Sequence, residues 1–239
     1  MSAALTGRTA LVTGASRGIG LAIARAMVAA GARVACVARS ADVLAARAAE
    51  LGAAAIPVAC DVTDEAAVAK MIALVRQTLG DAPDIVVNNA GAFAPSALEV
   101  TTPASVRDSL AVHVFAPFLV ARAVLPRMCE RRTGHIVTIG SAADRHAFVE
   151  NGAYSAGKTG ARAMHEVMRA ELRGSGVRTT LVSPGAVDTG IWDNIEPDGR
   201  GRFPPRNAML EVEDVAQAVL YAVSQPPRVN VDELRLARA

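Results

Sequence analysis

Tyr154 and Lys158 stand four residues apart in Tyr154-Ser-Ala-Gly-Lys158, a spacing that sets both side chains on one helix face, a turn apart. A phenol ordinarily titrates near 10, too high to exchange protons freely at neutral pH. A neighbouring ammonium favours phenolate, and a downward shift of about two or three units, each worth ~1.4 kcal/mol, would make Tyr154 a general acid and base. Ser141, in Gly140-Ser-Ala142, can donate a hydrogen bond to a substrate oxygen as charge builds on it. Tyr221, the other tyrosine, has no such partner and reads as packing.

A second group of residues fits a phosphate. Thr13-Gly-Ala-Ser-Arg-Gly-Ile-Gly20 falls between an apolar run and an amphipathic stretch. Gly14 permits a tight turn, Gly18 lets the backbone approach a pyrophosphate, and Gly20 allows close packing of helix on strand, while the helix N-terminus aims free N–H groups at the anion. The spacing is G-x-x-x-G-x-G, so the turn alone is also compatible with purely backbone work. After the second strand stands Ala38-Arg39-Ser40, with no acid to hydrogen-bond a ribose 2′-hydroxyl. Arg39, and Arg17 within the glycine turn, could instead grip a 2′-phosphate with their guanidinium forks, which favours NADP(H) over NAD(H). The competing reading is two solvated arginines in a chain whose 25 cationic residues include only two lysines, Lys70 and Lys158.

Elements that could position these groups alternate along the chain. Short β-branched runs begin at Thr9, Arg33, Ile56, Asp84, His135 and Val177, with a last one over Glu233–Leu236. Amphipathic stretches separate them: Ile19–Ala30, Asp42–Leu51, one capped by Thr63 or Asp64 and stopped at Gly80, Pro103–Met128, Ala153–Arg173 and Glu213–Ser224. Such alternation implies an α/β fold: a single doubly wound Rossmann-type domain over residues 1–239, with a mainly parallel sheet of about seven strands and helices on both faces. Residues 189–207, rich in Gly, Pro, Asp and Arg, are the candidate substrate lid.

Composition narrows the class. Hydrophobic residues make up 51% and charged residues 20%, as in a globular domain. A net charge of +2 without charge blocks gives no nucleic-acid or membrane surface. Cys36, Cys60 and Cys129 are odd in number and widely spaced, so neither a disulfide framework nor a metal site is expected. The N-terminus lacks a signal-peptide pattern, and Leu110–Pro126 is interrupted by His113, Pro117 and Arg122, a poor membrane span; the cytoplasm is the expected location.

Taken together, these residues resemble the short-chain dehydrogenase/reductase family over nearly the whole chain. The likeness rests on Thr13-Gly-x-x-x-Gly-x-Gly20, Cys60-Asp-Val62, Asn88-Asn-Ala-Gly91, Ser141, Tyr154-x-x-x-Lys158 and Pro184-Gly-Ala-Val-Asp-Thr189. The resemblance implies that Tyr154 is the acid/base, that Ser141 orients a carbonyl, and that Lys158 lowers the tyrosine pKa and holds the nicotinamide ribose. It implies coenzyme contacts from Gly14, Ser16, Arg17, Gly18, Ile19 and Gly20, and from Arg39. It places Asp61 and Val62 at the adenine, Asn88 and Gly91 at the ribose region, and Val187 and Thr189 at the carboxamide and phosphates, with further coenzyme contacts from Ala90, Pro184 and Gly185. One position departs: His113 stands where the family usually has an asparagine whose main-chain carbonyl holds a relay water. Pro117, four residues on, lacks the N–H that would bond that carbonyl, so the relay is expected to persist. His113 is either a catalytic participant or a core histidine.

The implied activity is hydride transfer between NADP(H) and a small to medium polar ketone or hydroxy acid. Asp144, Arg145, His146, Glu150 and Asn151, with Trp192, Arg200, Arg202, Phe203 and Arg206, are expected around the substrate. A coenzyme-binding sensor or scaffold would explain the glycine turn but has no need of Ser141, Tyr154 and Lys158 together. A sugar-nucleotide epimerase or dehydratase would need a larger C-terminal region. Apolar residues on more than one face of the helices over 103–128 and 153–173 suggest a homodimer or homotetramer.

Overall fold

The computed structural model describes residues 4–195, 197–200 and 203–239, with only the backbone at 199 and 200. Seven parallel strands form one sheet in the order β3-β2-β1-β4-β5-β6-β7. They are β1 (Thr9–Thr13), β2 (Arg33–Ala38), β3 (Ala55–Ala59), β4 (Ile85–Asn88), β5 (Gly134–Ile139), β6 (Val177–Pro184) and β7 (Glu233–Leu236). A parallel sheet covered on both faces needs apolar side chains on both. That is why Leu11, Val12, Cys36, Val37, Val86, Val87, Ile136 and Val137, in adjacent pairs along their strands, are all buried.

Helices α1 (Gly18–Ala29), α2 (Ala41–Leu51) and α6 (Val212–Val223) cover one face; Ile23, Met27, Leu44, Val215 and Val219 pack there. Helices α3 (Glu65–Leu79), α4 (Pro103–Glu130) and α5 (Gly152–Glu171) cover the other, where Met71, Val75, Leu119, Val124 and Met168 meet the sheet. Asp64 caps α3 by accepting the Ala67 N–H at 2.9 Å, and Gly80 at φ +93° ends it. The chain doubles back from β3 to β4, so the strand order reverses between β1 and β4. That opens a crevice beyond the carboxyl ends of the strands, where ligands of such sheets bind.

The long helix is not uniform. Ala111–Phe115 widens into a π turn, in which the Ala116 N–H reaches the Ala111 carbonyl. Pro117 supplies the reason: with no N–H it cannot close the α-helical bond to His113, and its ring needs that carbonyl displaced. Among the described residues α4 alone is long and apolar enough to cross a membrane; here Ala116, Leu119, Val120, Ala121, Val124 and Met128 are buried in the fold.

Candidate active site

All seven strand ends deliver to one edge, so topology alone gathers the residues singled out from sequence. Gly14 and Gly18 have φ of +70° and +55°, a backbone region that L side chains rarely adopt. A Cβ on Gly14 would stand 2.8 Å from Asn89 Nδ2, and one on Gly20 2.3 Å from the Gly14 carbonyl. The turn is therefore a cradle only glycine can form. Behind it, Asn89 Nδ2 donates to the Thr13 carbonyl at 2.9 Å, and the Asn89 and Ala90 N–H groups donate to Thr13 Oγ1 at 3.0 Å. Ser16 and Ile19 lie in the same turn, partly buried.

The first turn of α1 has neither a side-chain cap nor an acid, which leaves its N–H groups for an anion. Arg17 and Arg39 are exposed, and their guanidinium groups make no hydrogen bond or ion pair among the described residues. Arg39 lies near enough to Asp61 to help hold that carboxyl below the usual range, although the Thr63 hydroxyl and N–H, at 2.7 and 3.0 Å, do most of this. Val62 and Asn88 are buried beside it. From the other side Thr189 comes within 3.4 Å of the Cβ direction at Gly18. Pro184 ends β6, the Gly185 N–H is taken by the Leu236 carbonyl at 2.8 Å, and Val187 is buried. This two-sided cradle, with the Arg17 guanidinium on the Gly190 side and that of Arg39 after β2 near Asp61, fits a dinucleotide phosphate.

Ser141 follows β5 and Tyr154 lies in the first turn of α5. The Ser141 hydroxyl hydrogen-bonds the phenol and pulls its pKa down, but burial and the Asp144 charge push it up, and the net effect is above the ordinary value. This corrects the expected lowering by Lys158. The lysine Nζ donates to the Ile139 carbonyl at 2.9 Å and sits 5.7 Å from the centre of the tyrosine ring. Burial draws its own pKa to about 8 against the pull of Asp144, so it is charged at neutral pH but not strongly. The pair is assembled as the motif implies; the phenol is kept as an acid.

Of the two readings of His113, the structure favours the core histidine. Its ring is buried, and Nε2 bonds the Ala92 carbonyl at 2.9 Å, which assigns the ring proton to Nε2. Burial and the Lys158 charge hold its pKa down at about 3. A ring that stays neutral cannot shuttle protons at neutral pH. It is instead a wedge: a Cβ at Gly91 would meet it at 2.8 Å, one at Gly157 at 3.0 Å, and it meets the Tyr154 ring edge-on at 5.2 Å. It spaces the loop after β4 from α5.

Asp144, Arg145 and Arg206, expected to face the substrate, are engaged elsewhere. Asp144 is buried, accepting from Ser183 Oγ at 2.6 Å and the Ser141 N–H at 3.3 Å and pairing with Arg145 at 2.9 Å. Arg145 also binds Glu233 at 3.0 Å, and Arg206 pairs with Asp188 and, at 2.7 Å, with Asp193. Asn151 is buried at the start of α5. Arg202 and the Arg200 side chain lie outside the described residues. What meets Tyr154 is Phe93, edge-on at 4.9 Å. Phe93 is absent from the sequence reading, as are the Thr13–Asn89 tie and the role of Ser183. Its signal was available: an aromatic two residues past Gly91 in a chain with 3% aromatic residues.

A parallel sheet with a glycine cradle and a Ser–Tyr–Lys group at its carboxyl edge defines a dinucleotide-dependent oxidoreductase of Rossmann type. The short chain dehydrogenase model matches residues 8–200, and the chain belongs to the short-chain dehydrogenase/reductase family. It is 36% identical over 247 residues to the dehydrogenase/reductase SDR family member 11 of Gallus gallus, covering 97% of this chain and 96% of that one. An uncharacterized oxidoreductase of Staphylococcus aureus is 35% identical over 231 residues, covering 96% of both. Among solved structures, a metagenomic short-chain oxidoreductase in complex with NADP shares 33% identity at a TM-score of 0.84, covering 99% of each chain. An alcohol dehydrogenase of Thermococcus sibiricus complexed with 5-hydroxy-NADP shares 29% at 0.85, covering 97% of each.

Proposed function

We propose that this oxidoreductase interconverts a carbonyl compound and its secondary alcohol with NADP(H), using Tyr154 as proton donor and acceptor. The observation that carries the reading is the Ser141–Tyr154–Lys158 group standing on the same sheet edge as the glycine cradle. The nicotinamide, when bound, supplies or accepts the hydride. In the reducing direction the Tyr154 hydroxyl gives its proton to the carbonyl oxygen, a role suited to a phenol whose pKa is raised. Ser141 orients that oxygen. Lys158, protonated below about pH 8, stabilises the phenolate left behind. The His113 main-chain carbonyl, which Pro117 cannot close into an α-helical bond, holds the water through which the proton is replaced. In the oxidising direction Tyr154 must first lose its proton.

The choice of NADP(H) is supported by Arg17 and Arg39 with no acid after β2, and by the coenzymes in the two solved relatives. We assign the binding roles as the sequence reading gave them: the glycine turn from Gly14 to Gly20, with Ser16 and Ile19, to the coenzyme phosphates, Arg17 and Arg39 to the 2′-phosphate, Asp61 and Val62 to adenine, and Asn88 and Gly91, with Ala90 between them, to the ribose region. Val187 and Thr189 are assigned to the carboxamide and phosphates, with further coenzyme contacts from Pro184 and Gly185. A homo-oligomer is supported by exposed Phe115 and Phe118 on α4 and Met164 and Val167 on α5. A cytoplasmic location is supported by three free cysteines, of which Cys36 and Cys60 are buried.

NADPH consumption with a panel of ketones tests the reading. Tyr154→Phe should lower the rate by about 10²- to 10⁴-fold while NADPH still binds, and Arg39→Asp should move preference toward NADH. Tight NADPH binding with no turnover would instead favour a sensor.

A further inference from the structure

Resting on the carbonyl–alcohol reading of this site, we propose that its substrate carries an aromatic or comparably bulky apolar ring, gripped by Phe93 and the aromatic residues of the lid segment, rather than a carboxylate or a hydroxyl-rich chain.

The chain holds eight aromatic residues: five Phe, two Tyr and one Trp. Half of them meet at one point. Phe93 presents an edge or face to Tyr154 at 4.9 Å, to Trp192 at 5.3 Å and to Phe203 at 6.1 Å, and Trp192 lies 5.5 Å from Phe203. These separations are those at which aromatic rings attract one another. Phe93 comes from the loop after β4, Tyr154 from α5, and Trp192 and Phe203 from the segment after β6. Three separate connections thus spend scarce aromatic residues on one spot, against the phenol that must touch the reacting oxygen. A ring on the substrate could take the place of the Phe203 contact to Phe93 without leaving any polar group unpaired, while Trp192 stays anchored by its N–H on the Val187 carbonyl.

A carboxylate would fare differently. Arg145 and Arg206, the candidate anchors among the described side chains, are already bound to Asp144 and Glu233 and to Asp188 and Asp193. The tryptophan N–H is also taken, donating to the Val187 carbonyl at 2.9 Å. The approach is apolar as well: Leu98 and Val149 are 79% and 80% exposed and Phe148 is 50% exposed, on the loops that leave β4 and β5. Those loops are fastened together where the Ser96 N–H donates to the Glu150 carbonyl at 2.8 Å. Exposed apolar side chains grouped beside a cleft mark a surface that meets apolar ligands.

Two readouts on the full chain test this. With NADPH, kcat/KM is compared for propiophenone, an aryl alkyl ketone, and pyruvate, a 2-oxo acid. Without turnover, 1-phenylethanol is titrated against the emission of Trp192, the sole tryptophan. The ring is expected to win by about thirty- to a hundredfold, the advantage of burying it. Phe93→Ala should erase most of that ratio and the emission change, and Phe93→Leu, which retains bulk without a ring face, should fall between. Equal or greater efficiency on pyruvate, abolished by Tyr154→Phe, would overturn the ring preference and leave the reaction standing. A saturable emission change lost in Phe93→Ala, with no ketone reduced, would keep the ring pocket and sink the reaction. Neither binding nor turnover would sink both. A ring preference untouched by Phe93→Ala and Phe93→Leu would show that the aromatic group is only the core of the lid.

Discussion

Tyr154 and Lys158 look, from spacing alone, like a cation lowering a phenol. The structure gives the same two residues a different balance, because burial acts on both in opposite senses: it disfavours phenolate and it disfavours ammonium. The consequence is directional. For the proposed carbonyl reduction the working form is one with Tyr154 protonated and Lys158 charged. The first condition holds to high pH; the second is lost as pH rises through about 8. Carbonyl reduction is therefore expected to be level through neutrality and to fall above about pH 8, and Lys158→Arg should carry that limb upward or remove it. Rate–pH profiles at saturating NADPH check this; a limb that stays in place in Lys158→Arg would assign it to another group. His113, neutral throughout this range, should contribute nothing to the profile, so His113→Asn should leave its shape unchanged. The residue types at this site were thus legible in the sequence, while their protonation was not, since burial is set by neighbours such as Asp144, Ile139 and Phe93 that no motif names.

The glycine turn and α1 act as one element. Gly14 holds a positive φ while Asn89 and Ala90 press against the place where its Cβ would be. Gly14→Ala must strain the backbone by roughly 1 kcal/mol or more and push the loop after β4 away. NADPH affinity should fall at least tenfold, with a smaller loss in urea midpoint; fluorescence titration and urea unfolding measure the two, and an unchanged affinity would show that the cradle does not hold the coenzyme. Strand and helix positions were read from sequence to within a few residues, since a twice-covered parallel sheet demands continuous apolar runs and glycine or capping residues mark the helix ends. The π turn in α4 was not anticipated, although its cause, Pro117, was. A proline shows that a bond is missing, but not how the chain relaxes around it. The polar side chains expected around the substrate were misjudged for a related reason: Asp144 is polar in sequence, yet its partner Ser183 lies on β6, which only the fold brings near.

At the scale of the whole molecule, three of the four histidines are buried: His113 and His135 with pKa held down at about 3, and His165 at about 4, chiefly by burial. In the unfolded chain each titrates near 6.5. Between pH 6.5 and about 4 the unfolded state binds protons that the folded state refuses, so stability falls as pH falls through that window. Each histidine contributes a slope on the order of 1.4 kcal/mol per pH unit. The urea midpoint should drop steeply from pH 7 to pH 5, and His135→Gln should shallow the drop. A flat midpoint across this range would mean that the histidines are solvated or paired in the native protein. In the alkaline direction Cys36 and Cys60, pushed up to about 11, favour the folded state less as pH rises above about 9.

Ser141, to which we assign the substrate oxygen, is held from an unexpected quarter. Its turn is fixed by Asp144, whose carboxylate is shared with Ser183 on β6 and Arg145, and Arg145 reaches to Glu233 on the last strand. The final seven residues, far from Tyr154 along the chain, are in this way an abutment for the reacting group. Trimming them, or loading that edge with a fused partner, would loosen Ser141 even though no catalytic side chain had been touched.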